Sequence, residues 1–294
     1  MDLLRPEQGG LYLDGTLGGG GHAEALLTRG PEARLIGVDR DPEAIRAAEA
    51  RLARFAPRAR LVRATYAEAV AAVPIGPASL RGALLDLGIS SHQVDAAERG
   101  FTFRSGAPLD MRMAGGTRGE ETAADLLARL SEEELATIFY HFGEERRSRR
   151  LARTVVEMRE TTPLTLSDHL VAAIDQALIR PTAQDRARIF QALRIAVNAE
   201  LEGLENALPA IRDALEQGGV MVVLAYHSLE DRMVKDAFRE WSRDCVCPPQ
   251  LPGCVCGGVA LGKSVTRKPV FAASDEVERN PRARSVRLRA WRRA

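Results

Sequence analysis

The sequence predicts an α/β fold with a mainly parallel sheet, interrupted by an all-helical insert. Three observations predict it. Apolar runs ending in an acid alternate with helical segments up to Gly88, strand signals vanish from about Pro108 to Glu200, and alternation resumes at Gly218. The first strand is Leu11-Tyr12-Leu13-Asp14, which breaks into Gly18-Gly19-Gly20-Gly21 before a helix at Ala23-Glu24-Ala25-Leu26-Leu27. Leu35-Ile36-Gly37-Val38-Asp39 is a second strand. Asp41-Pro42-Glu43 starts a helix running to about Arg54, with a capping acid, proline at the first helical position and an acid in the first turn. Arg60-Leu61-Val62-Arg63 reads as a third strand with Tyr66 just after it, and Ala83-Leu84-Leu85-Asp86-Leu87-Gly88 as a fourth. Strands alternating with helices imply a parallel sheet with ligands at the carboxyl ends of the strands. Asp14, Asp39, Tyr66 and Asp86 are therefore expected on one rim.

The insert reads as helices over 122–130, 132–142, 144–159, 166–178 and 184–208. In the last, Phe190, Leu193, Val197, Leu201, Leu204 and Leu208 recur at helical spacing as one buried stripe. The opposite face carries Gln191, Arg194 and Asn198, which either face a substrate or form the wet side. Val220 to Tyr226 is a buried strand after a helix-ending glycine pair, Gly218-Gly219. His227 follows at the strand's carboxyl end, and Ser228 with Asp231 forms a capping box. Lys268-Pro269-Val270-Phe271 and Ser285-Val286-Arg287-Leu288-Arg289 read as a closing pair of strands.

With 294 residues, 45% of them hydrophobic, the chain can bury one large core or two modest ones. The formal net charge is +1, but its distribution is uneven. Seven arginines and no acid lie from Arg279 to the end, and Arg146, Arg147, Arg149, Arg150 and Arg153 form a second cluster. Such patches are either the footprint of a polyanion such as RNA or solvated surface. No signal peptide or membrane-spanning run is found, so a cytoplasmic protein with no membrane partner is expected. The four cysteines all lie within Cys245-Val246-Cys247 and Cys254-Val255-Cys256. A reducing compartment disfavours disulfides there. The pairs could hold zinc, but the usual knuckle is C-x-x-C, and a Pro/Gly loop is the alternative; no metal site is assigned.

The glycine loop misses G-x-G-x-x-G, because Ala23 stands where the third glycine belongs. The spacing Asp14-x-Thr16-x-Gly18-x-Gly20 resembles instead the first motif of S-adenosylmethionine methyltransferases. A nicotinamide dehydrogenase on a similar sheet is the runner-up. A catalytically silent RNA-binding factor is a third reading; calorimetric titration of cofactor separates them.

Taken together, the motifs resemble the RsmH (MraW) family of bacterial methyltransferases. The matching stretches are Asp14 to His22, Asp86-Leu87-Gly88-Ile89-Ser90-Ser91-His92-Gln93, Arg99 to Phe103, Pro108 to Met113, Gly143 to Arg146, Phe190 to Asn198, His227 to Arg232 and Asn280 to Ser285. The resemblance implies a class I, Rossmann-like S-adenosylmethionine domain over 1–107 and 205–294, with a helical substrate-recognition domain inserted over 108–204. It implies N4-methylation of a cytidine, cytosine 1402 in RNA numbering, in the decoding region of 16S rRNA. The partner would be 16S rRNA or the small ribosomal subunit; the oligomeric state stays open. Carried over by motif, the cofactor contacts fall on Gly20, Gly21, His22, Asp39, Tyr66, Asp86 and Gln93. Tyr66 stands where many members have Phe, and Ala225-Tyr226 where Ser-Phe is common, a tolerated packing change. Members usually begin with a His-x-Pro-Val-Leu-Leu segment, so the start of this chain is expected to be truncated or miscalled, and with it a wall of the cofactor site.

A cytosine N4 is a weak nucleophile, because its lone pair is delocalised into the ring. The reaction therefore needs close positioning and acceptors for the N–H groups. Asp86, Ser90 and Ser91 are the candidates, as acceptors or as anchors of their loop; alternatively Asp86 only binds cofactor. Arg194, Asn198, His227 and Arg284 are candidates for RNA contact.

Overall fold

The computed structural model describes residues 1–294 except positions 74, 117–118, 246, 248–254 and 257 and the side chains of Ser91 and His92. In chain order the elements begin with β1 (Gly10–Asp14), α1 (Gly21–Arg29), β2 (Ala33–Asp39), α2 (Pro42–Leu52), β3 (Ala59–Arg63), α3 (Ala69–Ala72) and β4 (Leu80–Asp86). Then come α4 (Ser91–Asp95), α5 (Ala123–Arg129), α6 (Glu132–His141), α7 (Ser148–Arg159), α8 (Ser167–Ala177), α9 (Ala183–Asn198) and α10 (Glu200–Ala214). The chain closes with β5 (Leu215–Ala225), α11 (Ser228–Trp241), β6 (Gly262–Ser264), α12 (Ser274–Arg279) and β7 (Arg287–Arg293). They form two compact units, Met1–Gly88 with Leu201–Ala294, and Ile89–Glu200.

The first unit is built on a seven-stranded sheet of order β3-β2-β1-β4-β5-β7-β6. β1 to β5 run parallel, and β7 is antiparallel to both its neighbours. Successive residues alternate between faces. Leu13, Ile36, Leu85 and Val223 pack with Leu204 and Leu208 of α10 and with Val234 and Phe238 of α11. Tyr12, Leu35, Leu84 and Val222 pack with Leu26 and Leu27 of α1 and with Ala48 and Leu52 of α2. Both faces are covered, which is why the inner strands read as near-continuous apolar runs. Strand order reverses between β1 and β4, and a ligand crevice opens beyond the carboxyl ends of strands at such a point.

The second unit is helical. Leu127, Phe139, Leu151, Val155, Leu170, Ile174, Ile189 and Leu193 form its core. Residues 89–107, assigned by sequence to the sheet domain, belong here. The Ser167 hydroxyl donates to the Arg104 carbonyl at 2.6 Å and the Met111 N–H to the Arg99 carbonyl at 3.1 Å, tying that stretch to the helices.

Three further expectations change. The single helix over 184–208 is α9 and α10, broken where Ala199 turns left-handed (φ 49°) and its N–H bonds back to the Ile195 and Ala196 carbonyls. The apolar stripe accordingly serves two cores, Phe190 and Leu193 in the helical unit and Leu204 and Leu208 under the sheet. Gly218-Gly219 does not end a helix. It lies inside β5, where the register against β4 slips between Leu80–Leu215 and Gly82–Val220 and Gly218 takes φ 80°. The edge strand beside β7 is Gly262–Ser264 rather than the stretch 268–271, which contributes one bridge, Val270 to Leu288.

Candidate active site

β1 ends at Asp14 and β4 at Asp86, and the loop between β1 and α1 is sewn across their neighbours by the backbone. Gly15 N–H donates to the Leu84 carbonyl at 2.9 Å, and Leu17 N–H to the Val38 carbonyl at 2.9 Å. The Thr16 hydroxyl accepts from the Asp86 N–H at 2.6 Å. Gly20 takes φ 78°, where another side chain would be strained, and a Cβ there would stand a tight 3.3 Å from the Ala48 Cβ of α2. Gly18 donates to Asp39 Oδ2 at 2.8 Å, while Asp39 Oδ1 accepts from the Asp41 N–H at 2.8 Å. Asp39 therefore braces the loop, and each of its oxygens keeps a lone pair for a further donor. Around Gly19 a Cβ would meet nothing within 4 Å, so the loop faces open space there.

The carboxylates differ in their company. Asp14 is 2% exposed; its Oδ1 accepts from the Thr16 N–H at 3.2 Å, and its Oδ2 has no hydrogen-bond partner among the described residues. Burial pushes its carboxyl up to about 7, partly offset by His22. Burial also raises Asp39, against the N–H bonds from Asp41 and Gly18. Asp86 is well supplied: its Oδ1 accepts from the Tyr226 hydroxyl at 2.9 Å, and its Oδ2 lies 3.2 Å from His22 Nε2. That bond raises the His22 pKa, and burial followed by the Asp86 charge raises that of Tyr226. Tyr66 is half-buried after β3, with its ring over Gly203, where a Cβ would come 3.3 Å from Cε2.

Asp14, Gly20, Gly21, His22, Asp39, Tyr66 and Asp86 thus belong to the sheet unit, at or just beyond strand tips. Two of its residues were undervalued. Asp14 is absent from the cofactor set implied by resemblance, although an acid at the first strand's end was a visible signal. Tyr226, read as packing, gives its hydroxyl to Asp86; an aromatic one residue past a strand end was the only hint.

Residues 1–294 match the MraW methylase family. The chain belongs to that family. It is 53% identical over 285 residues to ribosomal RNA small subunit methyltransferase H of Gemmatimonas aurantiaca, covering 96% of this chain and 89% of that one. The protein of that name from Geobacter sp. strain M21 is 48% identical over 295 residues, covering 98% and 94%. One from Heliobacterium mobile is 46% identical over 296 residues, covering 98% and 94%.

The chain is thus an S-adenosylmethionine-dependent methylase on a Rossmann-like sheet. Its strand tips suit that cofactor. A buried carboxylate oxygen without a donor, beside two further carboxylates, favours a sulfonium–ammonium cation. The same charges would repel the pyrophosphate of a nicotinamide dinucleotide.

The remaining predicted site residues have other uses. Ser90 and Gln93 belong to the helical unit and cap α4 reciprocally, Ser90 N–H to Gln93 Oε1 at 3.0 Å and Gln93 N–H to Ser90 Oγ at 3.2 Å. The Ser91 side chain lies outside the described residues. Arg194 and Asn198, expected to face RNA, are turned inward. Arg194 forms a two-pronged pair with Glu200 at 2.8 and 2.9 Å, their side chains 13% and 5% exposed. Asn198 accepts from the Met113 N–H at 2.8 Å and donates to the Met111 carbonyl at 2.7 Å, pinning the Pro108 to Met113 loop. His227 is buried and caps α11, accepting on Nδ1 from the Glu230 N–H at 3.4 Å; its Nε2 lies 3.1 Å from Glu230 Oε1 without hydrogen-bond geometry. The capping pair is His227 with Glu230 rather than Ser228 with Asp231, since Asp231 is taken by Arg289 at 2.6 Å. Arg284 is exposed.

A carboxyl raised by folding contributes stability that is present below its unfolded pKa and lost as pH climbs through its folded one. Asp14 spans about 3.8 to about 7. Between those values it should cost the fold on the order of 4 kcal/mol. His22, raised above 6.5 chiefly by its bond to Asp86, adds a second decline that begins only above pH 6.5. In urea melts across this range Asp14→Asn should flatten the fall; an unchanged slope contradicts the buried, partnerless carboxyl. Tyr226→Phe removes one donor from a half-buried carboxylate and should lower unfolding free energy by about 1 kcal/mol at neutral pH; no loss would mean the hydroxyl does not hold Asp86.

Proposed function

We propose that this methylase transfers the methyl group of S-adenosylmethionine to the exocyclic N4 of cytosine 1402, in the decoding region of 16S rRNA. The name shared by its relatives, ribosomal RNA small subunit methyltransferase H, supports the RNA class. The observation that carries the reading is Asp86: an acceptor at the switch point of the sheet, with each oxygen oriented by a separate partner. The cofactor supplies an electrophilic sulfonium methyl. Asp39 would receive the ribose hydroxyls, Tyr66 would lie against the adenine, and Asp14 Oδ2 would accept from the cationic end. Gly20, Gly21 and His22 would line the passage between them.

Asp86 would accept a hydrogen bond from an N4–H group and draw electron density onto the nitrogen as it pyramidalises. His22 Nε2, within reach of Asp86 Oδ2 and open to solvent, would carry the released proton outward. Ser90 and Gln93 would act by shaping the loop after Asp86. The target base must leave its stack to reach the strand tips, and folded RNA must stay docked meanwhile.

The helical unit supplies a docking surface in this reading. Arg146, Arg147 and Arg149, at and before the start of α7, are exposed, and none has an acid within ion-pair range among the described residues. By contrast Arg153 lies 3.5 Å from Glu132 and Arg188 is held by Asp185. Arg284 would add a phosphate contact from the sheet unit.

Mass mapping of 16S rRNA after incubation with the protein and S-adenosylmethionine should find N4-methylcytidine at position 1402. Methylation at another atom or base would refute the assignment. Asp86→Asn should lower the rate at saturating cofactor by about 10²-fold or more; an unaltered rate removes Asp86 from the chemistry. Reversing charge at Arg146, Arg147 and Arg149 together should weaken RNA binding and flatten its log–log salt dependence by about 2 units. An unaltered slope would move the RNA off this surface.

A further inference from the structure

Between α11 and β6 the chain folds back so that three thiols meet. The sulfurs of Cys245, Cys247 and Cys256 all lie within 4.8 Å of one another, and those of Cys245 and Cys256 are 3.8 Å apart. Backbone amides point at them: the Cys247 N–H donates to Cys245 Sγ at 3.4 Å, and the Val255 N–H to Cys247 Sγ at 3.4 Å. The return is tight, since a Cβ on Gly258 would come 3.3 Å from Cys256 Sγ and 2.9 Å from the Asp244 carbonyl. The far end of the loop is tied back to the end of α11. The Leu261 N–H bonds to the Trp241 carbonyl at 2.9 Å, and the Ser264 N–H to the Ser242 hydroxyl at 3.1 Å.

Two chemistries gather thiols in this way. A disulfide needs sulfurs about 2.05 Å apart and would use only two of the three. Thiolates around a tetrahedral zinc ion, each about 2.3 Å from the metal, stand about 3.8 Å from one another. The Cys245–Cys256 separation has that value. Amide N–H groups aimed at sulfur stabilise a thiolate and do little for a neutral thiol, which is a poor acceptor. Three soft sulfur donors without a carboxylate select zinc over magnesium or calcium. The C-x-C spacing that argued against a knuckle is no obstacle, because Cys256 closes the site across the loop.

We propose that Cys245, Cys247 and Cys256 bind one zinc ion as thiolates, with a water or one further donor completing the tetrahedron, in a site that fixes this loop against the antiparallel edge of the sheet. Binding releases three thiol protons to solvent and moves no electrons. Cys254 lies outside the described residues, and the three-thiol site does not depend on it. Nothing in the site is shared with the strand tips.

Metal analysis of the full chain, purified untagged under reducing conditions without chelator, should find about one zinc per chain. Cys245→Ser with Cys256→Ser should reduce this to background while S-adenosylmethionine binding persists. Should that variant misfold, the wild-type protein stripped with a mercurial and reloaded with cobalt(II) gives the same information. Thiolate-to-cobalt charge-transfer bands with tetrahedral ligand-field absorption are expected. Zinc at background in the wild type, absence of those bands, or a Cys245–Cys256 disulfide found by peptide mapping would each overturn the proposal.

Discussion

Carboxylates at the carboxyl ends of buried parallel strands are costly to take out of water, and the sheet unit holds three, Asp14, Asp39 and Asp86. Each meets that cost differently. Asp86 has a hydroxyl and an imidazole, Asp39 has two backbone N–H groups, and Asp14 has one N–H and an oxygen left over. The unmet part is largest at Asp14, whose carboxyl is pushed up to about 7. A cationic ligand relieves it; an anionic one aggravates it. The choice of cofactor thus follows from desolvation more than from the glycines.

The glycine loop supplies shape. Its backbone joins the tips of β1, β2 and β4, and the tight place at Gly20 lets α2 close behind it. Because the loop N–H of Gly18 is spent on Asp39, it is less free to cradle phosphate. One bond therefore braces the loop and helps to exclude a competing cofactor.

Much of this was legible in the sequence because parallel strands advertise themselves. Leu35 to Asp39 and Leu80 to Asp86 are buried almost throughout, so apolar runs ending in acids marked both the strands and the rim. Hydrophobic period could not reveal the break at Ala199, since an alanine in left-handed geometry leaves the stripe of α9 and α10 in phase. Polar period misled in the same way: Arg194 and Asn198 lie on the less apolar face of α9, yet that face meets Glu200 and the Met111 to Met113 backbone. Tyr226 was hidden for another reason. Only the position of its hydroxyl, 2.9 Å from Asp86 Oδ1, tells what it holds. The meeting of Cys245, Cys247 and Cys256 depends on a loop closure that spacing alone does not disclose.

The central claim is that a buried carboxyl, its pKa raised by desolvation, waits for a positive charge. Calorimetric titration of S-adenosylmethionine near pH 7, in buffers of different ionisation enthalpy, reads this directly. The account predicts net proton release on cofactor binding, fading at higher pH and absent in Asp14→Asn. Binding without proton release, or with release that survives Asp14→Asn, would contradict it.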